Sequence, residues 1–404
     1  MKKGWQSKTL AEVCQIRPPK SEARERVSAN MLVSFAPMQD LGIDRKFLNA
    51  TQVKQLTSVV GSYTYFADGD VLLAKITPCF ENGKLGIATG LRNGIGFGSS
   101  EFFVFRPSEI LNKEYLYYYL SRPDFRHEGA ERMGGAVGQQ RVPKEFIESY
   151  PIPVPPLLEQ KRIVGILDEA FEGIATAKAN AEKNFQNARA LFESRLQSVF
   201  ENKGEGWEEK ALEELGVITS SKRIYKSEYV KDGIPFYRTK EIKELSNGKD
   251  IAIELFISKK RYYDIKKAFG VPQINDLLMS AVGTIGEIMV IENDDEFYFK
   301  DGNIVWFKEF KSLDVNYLKY ALTAFIEKIK SLAIGSAYNA LTIEKLNKYK
   351  ISFPVSLKDQ QSIVNKLDAL SIETQRLESI YQQKLEALEA LKKSLLHQAF
   401  TGAL

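Results

Sequence analysis

Histidine and cysteine are nearly absent from this chain: His127, His397, Cys14 and Cys79 are all it has in 404 residues. A Cys–Cys–His–His zinc site would need all four, and none stands at finger spacing. Two cysteines in so long a chain do not make a disulfide framework, which fits a reducing compartment. No apolar run reaches the roughly 18 residues that a membrane span needs. The opening MKKGWQSKTLAEV is basic but lacks an apolar stretch, so no leader is read there. A soluble, cytoplasmic protein without membrane contact is expected.

The usual catalytic signatures are missing as well. Gly83-Lys84 and Gly248-Lys249 lack the upstream glycine of a phosphate loop. Gly94-Ile95-Gly96-Phe97-Gly98 is half a dinucleotide fingerprint, but Ser99 replaces its last glycine and it precedes a strand, so it reads as a flexible turn. No Asn/Asp-Pro-Pro-aromatic tetrapeptide is present to grip a flipped adenine. Asp232 with Glu241-Ile242-Lys243 has the outline of a nuclease triplet, which a chain with 27% charged residues produces by accident. Neither histidine has a nucleophile motif near it, and His397 reads as structural. The net charge of +4 does not demand nucleic acid, although balanced charge can hide basic surfaces.

What the chain does have is a long periodic stretch, twice. Residues 157–200 are free of proline and rich in Ala, Leu, Glu, Lys and Gln. Ile163, Leu167, Ala170, Ile174, Ala177, Ala181, Phe185 and Ala188 mark a coiled-coil seam with one extra four-residue step. Ile363, Leu367, Leu370, Thr374, Leu377, Tyr381, Leu385 and Leu388 repeat the spacing, irregular step included, within 357–400. Two helices of some 40 residues, each roughly 60 Å long, are predicted. The repeat of an irregular spacing marks an internal duplication. An Ala-rich seam against a Leu- and Tyr-rich one suits packing of the two helices on each other. The order of module then helix, twice over, closes most simply about a pseudo-twofold axis, so antiparallel pairing is expected to set Ala170 beside Tyr381, Ala181 beside Leu370 and Phe185 beside Leu367.

The segments before the helices also correspond. GWQSKTLAEVCQI is echoed by GWEEKALEELGVI, each a helical turn with an apolar run. VLLAKITP and LLMSAVGT read as buried strands, as do EFFVFRP and NIVWFKEF. NKEYLYYYL and DVNYLKYAL read as helices, the first ending at Pro123, and PIPVPP as an extended connector. The framework is shared while the loops diverge: RPPKSEARERV against SSKRIYKSEYV, and GQQR against AYNA. Two copies of one scaffold with different loops suggest two related sites that read different things.

Those loops mix basic, amide, hydroxyl and aromatic side chains. The first set is Arg17, Lys20, Lys75, Thr77, Gln139, Gln140 and Arg141. The second is Lys222, Arg223, Tyr237, Arg238, Thr239, Lys240, Ser280, Tyr338 and Asn339. Arg and Lys suit guanine edges and phosphates, and Gln and Asn can grip adenine, so both sets are candidate DNA contacts.

PVPPLLEQKRIVGILDEA, its altered echo PVSLKDQQSIVNKLDAL, the ending HQAFTGAL and the duplicated plan together resemble the specificity subunit of Type I restriction-modification systems. ITPCFENGKL and FGSSEFFVFRP are similar to that family's target-recognition domains. The resemblance implies an α+β protein with two similar target-recognition domains, at 1–155 and 204–355. Spacer helices at 156–203 and 356–404 would form an antiparallel coiled coil within a pseudo-twofold repeat. It implies a non-catalytic reader of a split, asymmetric double-stranded DNA sequence. Two modification (methyltransferase) subunits would dock on its helices, and restriction subunits would join through the complex. No cofactor would belong to this chain, since S-adenosylmethionine, ATP and magnesium go with the other subunits. Two other readings stay open: a coiled-coil scaffold with protein-binding globular ends, and a methyltransferase or nuclease with a cryptic site.

Overall fold

The computed structural model describes residues 4–136, 138–332 and 342–404. It divides into two units: Met1–Glu182 with Gln382–Leu404, and Lys183–Tyr381. Each holds one α+β module, the beginning of one long helix and the end of the other.

In the first unit the opening segment is a strand, Gln6–Thr9, a helical turn, Leu10–Val13, and a second strand, Cys14–Ile16. The turn starts where it does because Glu12 accepts the Thr9 backbone N–H at 2.6 Å and its hydroxyl at 2.9 Å, as in a capping box. Cys14–Ile16 is the edge of a four-stranded antiparallel sheet that continues through Phe102–Pro107, Val71–Ala74 and Leu85–Ile87. A second sheet runs Gln52–Gln55, Leu32–Ala36, Ile95–Gly98, Thr64–Ala67, with the two central strands parallel.

Ile95–Gly98 corrects the reading of the glycine-rich stretch as a flexible turn: it is a buried central strand. A Cβ on Gly96 would stand 2.1 Å from a Phe66 ring carbon, and one on Gly98 2.4 Å from the Ala36 carbonyl. The glycines are there so that Phe66 and the neighbouring strand can close on this backbone. Pro123 likewise does not merely end a helix. Lys113–Leu120 stops before it, and Pro123–Glu131 begins with it at the first helical position. The PIPVPP connector contributes a strand, Pro151–Val154, paired with Gln6–Thr9 in a two-stranded sheet of the described residues, where its prolines need no second partner.

The second unit repeats the frame. Trp207–Ala211 pairs with Lys350–Pro354, and Val217–Thr219, Ile304–Lys308, Leu277–Ser280 and Ile288–Val290 form the four-stranded sheet in the same order. Its other sheet runs Tyr229–Val230, Phe256–Ile257, Ile234–Tyr237, Tyr298–Phe299, again with a parallel pair. Helices Thr239–Ser246 and Lys259–Phe269 follow Ile234–Tyr237 and Phe256–Ile257.

The long helices are Leu157–Glu201 and Leu357–Thr401, each of 45 residues. Every seam position is buried or half-buried. Within the first unit Lys178 meets Glu389 at 2.7 Å; within the second, Arg189 meets Glu378 at 3.0 Å. In the first unit the Lys392 ammonium also lies over the Phe171 ring, so there one helix advances as the other recedes and the segments run antiparallel. The register differs by some four turns from that expected by facing Phe185 with Leu367. The reason lies at the helix ends. Leu396, Ala399 and Phe400 share one core with Ile163, Val164, Leu167 and Tyr115, and Leu196 shares another with Val364, Leu367 and Tyr317. Phe400 lies edge-on to Tyr115 at 5.0 Å, as Phe200 does to Tyr317 at 5.4 Å. Burying one such ring stabilises by about 1.5–3 kcal/mol, which outweighs the matching of alanine to tyrosine along the seam.

Each module is fastened to the start of the helix that follows it by a buried glutamine. Gln160 is fully buried; its Oε1 accepts the Asn112 N–H at 2.8 Å and its Nε2 donates to the carbonyls of Ile110 at 2.9 Å and Pro155 at 2.8 Å. Gln360 does the same to Asp314, Ser312 and Pro354. Asn112 and Asp314 cap the helices whose tyrosines complete the joint. Tyr115 and Tyr317 donate to the Pro153 and Ser352 carbonyls, both at 2.9 Å, and Tyr118 and Tyr320 donate to Asp168 and Asp368.

Candidate nucleic-acid interface

The candidates of the first module converge around a carboxylate that sequence reasoning did not single out, Glu101. Arg17 follows the edge strand Cys14–Ile16, with its N–H on the Val104 carbonyl at 2.8 Å. Lys75 follows Val71–Ala74, with its N–H on the Glu101 carbonyl at 2.9 Å. The glycine-rich loop before Pro143 folds back on both. Arg141 exchanges backbone bonds with Gly134 at 2.8 and 3.0 Å, Thr77 N–H reaches the Gln140 carbonyl at 2.9 Å, and Val142 N–H reaches the Lys75 carbonyl at 3.0 Å. The sheet thus carries residues from four separate sequence segments to one edge.

Their side chains meet there. Glu101 takes the Arg141 guanidinium in a fork, Nε at 2.9 Å and NH2 at 3.0 Å, and has Lys75 Nζ at 3.8 Å. Arg17 and Lys75 lie over the Phe103 ring, 5.2 and 5.9 Å from its centre. Arg141 holds the Glu101 carboxyl below its ordinary range, and burial pulls the Lys75 ammonium below its own. Three cations around one carboxylate leave a positive edge. The Gln139 side chain is exposed beside it, and the Thr77 hydroxyl is engaged by Glu81 at 2.8 Å. Lys20 is not part of the group; it donates to the Gly61 carbonyl at 3.0 Å.

In the second module Lys222, Arg223, Tyr237 and Ser280 border the segment from Tyr298 to Ile304. Lys222 N–H donates to the Tyr298 hydroxyl at 2.6 Å, its ammonium lies 4.8 Å over Phe269, and Arg223 pairs with Asp301 at 2.7 Å. Arg238 is held between Glu241 at 2.6 Å and Glu254 at 2.7 Å, and Lys240 meets Glu254 at 2.9 Å. Lys240, then Arg238, hold the Glu254 carboxyl down to about 2. Tyr237 stacks on Phe297 at 4.7 Å, and the Thr239 hydroxyl is covered. Ser280 is a correction: it is fully buried, its hydroxyl donates to the Thr284 carbonyl and accepts the Glu287 N–H, and so it closes the 281–286 loop. Tyr338 and Asn339 lie outside the described residues.

The shared frame allows position-by-position comparison. Ala281 N–H donates to the Asn303 carbonyl at 2.8 Å, as Lys75 does to that of Glu101. Thr219 pairs with Trp306 at the register point where Arg17 meets Val104. Thr219, Ala281 and Asn303 therefore stand where the first module has Arg17, Lys75 and Glu101. Glu101 escaped notice because an acidic residue before an apolar strand carries no mark of its own.

Comparison with known proteins accords with the duplication. A family model described as Type I restriction modification DNA specificity domain matches residues 2–183 and again 204–388. The specificity subunits of the Type I restriction enzymes EcoAI and EcoEI of Escherichia coli are 41% identical over 162 residues and 42% identical over 163. Each match covers 40% of this chain and 27% of the relative, about a quarter of its length. In fold, a chain from a structural study of complex assembly and conformational transition of the type I R-M system aligns with a TM-score of 0.80 and 21% identity, over 100% of this chain and 99% of that one. No helix among the described residues is long and apolar enough to cross a membrane. With both halves matched by one model, this chain belongs to the Type I restriction modification DNA specificity domain family.

Proposed function

We propose that this chain is the DNA-reading subunit of a Type I restriction-modification complex, acting in the cytoplasm on a bipartite, asymmetric target. Residues 1–155 and 204–355 are the two recognition domains; 156–203 and 356–404 are spacers that set the distance between half-sites. Two modification subunits dock on the helices, restriction subunits join through them, and the chain performs no chemistry itself. The observation that carries the reading is the pair of equivalent sites with unlike side chains: Arg17, Lys75 and Glu101 on one frame, Thr219, Ala281 and Asn303 on the other. One backbone with two sets of donors and acceptors suits two different base sequences. The relatives named as specificity subunits support the same reading.

The test is methylation mapping in a host that carries the chain with its modification subunits. A split target with two unlike halves is expected. A contiguous or palindromic target, or methyl transfer by the purified chain alone, would overturn the proposal.

A further inference from the structure

We propose that Arg141 reads a guanine in the half-site of the first module, and that Glu101 is the positioning residue that aims it. The inference rests on the DNA-reading function proposed above. Arg141 has five N–H donors. Three are in use: Nε and one on NH2 bond Glu101, and one on NH1 bonds the Gln139 carbonyl at 2.8 Å. One N–H on each terminal nitrogen remains, and the side chain is 44% exposed. Two parallel N–H groups at the end of a guanidinium are the complement of the guanine N7 and O6 acceptors in the major groove.

The group is also built to hold its aim. The backbone of Arg141 is tied to Gly134 on one side and bridges to Ile76 on the other, and its neighbours bond Thr77 and Lys75. Glu101 fixes the plane of the guanidinium from the strand side. An arginine ordered before contact loses little side-chain freedom on binding and discriminates by geometry. Arg17 and Lys75 share the Phe103 ring and supply charge for phosphates; Lys75 has no fork, and no hydrogen bond among the described residues fixes the plane of the Arg17 guanidinium. Arg238 spends Nε on Glu241 and both N–H of NH2 on Glu241 and Glu254, so no end fork is left to it. Arg141 thus combines a backbone tied on both sides, a guanidinium plane fixed by Glu101 and one N–H left free on each terminal nitrogen.

The experiment selects from randomised duplexes with the full-length chain at one fixed salt concentration. Wild type is expected to prefer guanine at one position of one half-site. Arg141→Ala and Arg141→Lys should each lose that preference by roughly ten- to a hundredfold, Lys retaining most of the overall affinity. Glu101→Gln should weaken the preference at the same position and leave the other half-site unchanged. A duplex with 7-deazaguanine at that position lacks the N7 acceptor, and wild type should bind it more weakly by a similar factor. That arm needs no variant to fold. Uniform weakening of all sequences by Arg141→Ala, with a smaller salt slope, would mean a phosphate contact and overturn this inference while DNA reading stands. Failure of wild type to select any sequence would overturn the DNA-reading proposal itself.

Discussion

Asp70 and Asp276 occupy the same point of the two modules and are satisfied differently. Asp70 is 1% exposed and takes the Arg106 fork, Nε and NH2 both at 2.8 Å, plus the Ala67 N–H. Asp276 takes the Trp306 indole N–H and the Gln273 N–H, each at 2.8 Å. Burial raises the Asp70 carboxyl, and Arg106 offsets only part of that cost. Arg106→Leu should therefore strand a buried charge and destabilise the first module by about 3–5 kcal/mol. Hydrogen exchange at Val71–Ala74 would report it, with Leu277–Ser280 as the unaffected control; equal loss in both strands would disprove a local effect. At this scale the sequence singles out residues whose chemistry stands out in a loop, such as Arg17, Lys75 and Arg141, and the fold brings these three to one edge. It was silent where the role is a partner's gift. Nothing marks Glu101 as a buttress or Ser280 as a loop clasp until the strands bring their partners in.

The helices and most core strands were legible because their periodicity is dictated by burial. The strands Pro151–Val154 and Ile95–Gly98 were not. Proline and glycine argue locally against strand, and only the partners Gln6–Thr9 and Phe66 reverse that argument. The joint between module and helix lies between these cases. Gln160 stands in the recurring helix-start motif, and Gln360 survives where the neighbouring prolines change, yet only the fold shows three backbone groups depending on each. Gln160→Leu or Gln360→Leu leaves a buried N–H and two carbonyls unpaired and should cost about 1–3 kcal/mol or more. Each change should act on its own module only. Exchange mapped in Lys113–Leu120 and in Val315–Leu332 would separate them, and spread of either effect to both helices would refute the joint as described.

For the molecule as a whole, the ion pairs fix where a length change must be made. Lys178 with Glu389 and Arg189 with Glu378 put Ala181 opposite the turn near Leu385. Four residues inserted after Ala181, matched by four after Leu385, lengthen each helix by roughly 6 Å and disturb the apolar stripe least. On the proposed function, methylation mapping should find the unread spacer longer by about one or two base pairs and the half-sites unchanged. An unchanged spacer with full activity would show that the helices do not set the distance. The core of the first unit also depends on distant chain. Phe400→Ala should cost about 3–5 kcal/mol there and leave the second module intact, as limited proteolysis of the two would show. This dependence has a consequence for synthesis. A ribosome adds about 5–20 residues per second, so residues 1–150 emerge roughly 10–50 s before Phe400 exists. Through that interval Tyr115 and Tyr119 wait without the ring that covers them, while Tyr317 finds Phe200 already made. The module translated first is the one completed last, and a chaperone acting on the nascent chain has its longest task at the beginning of the message.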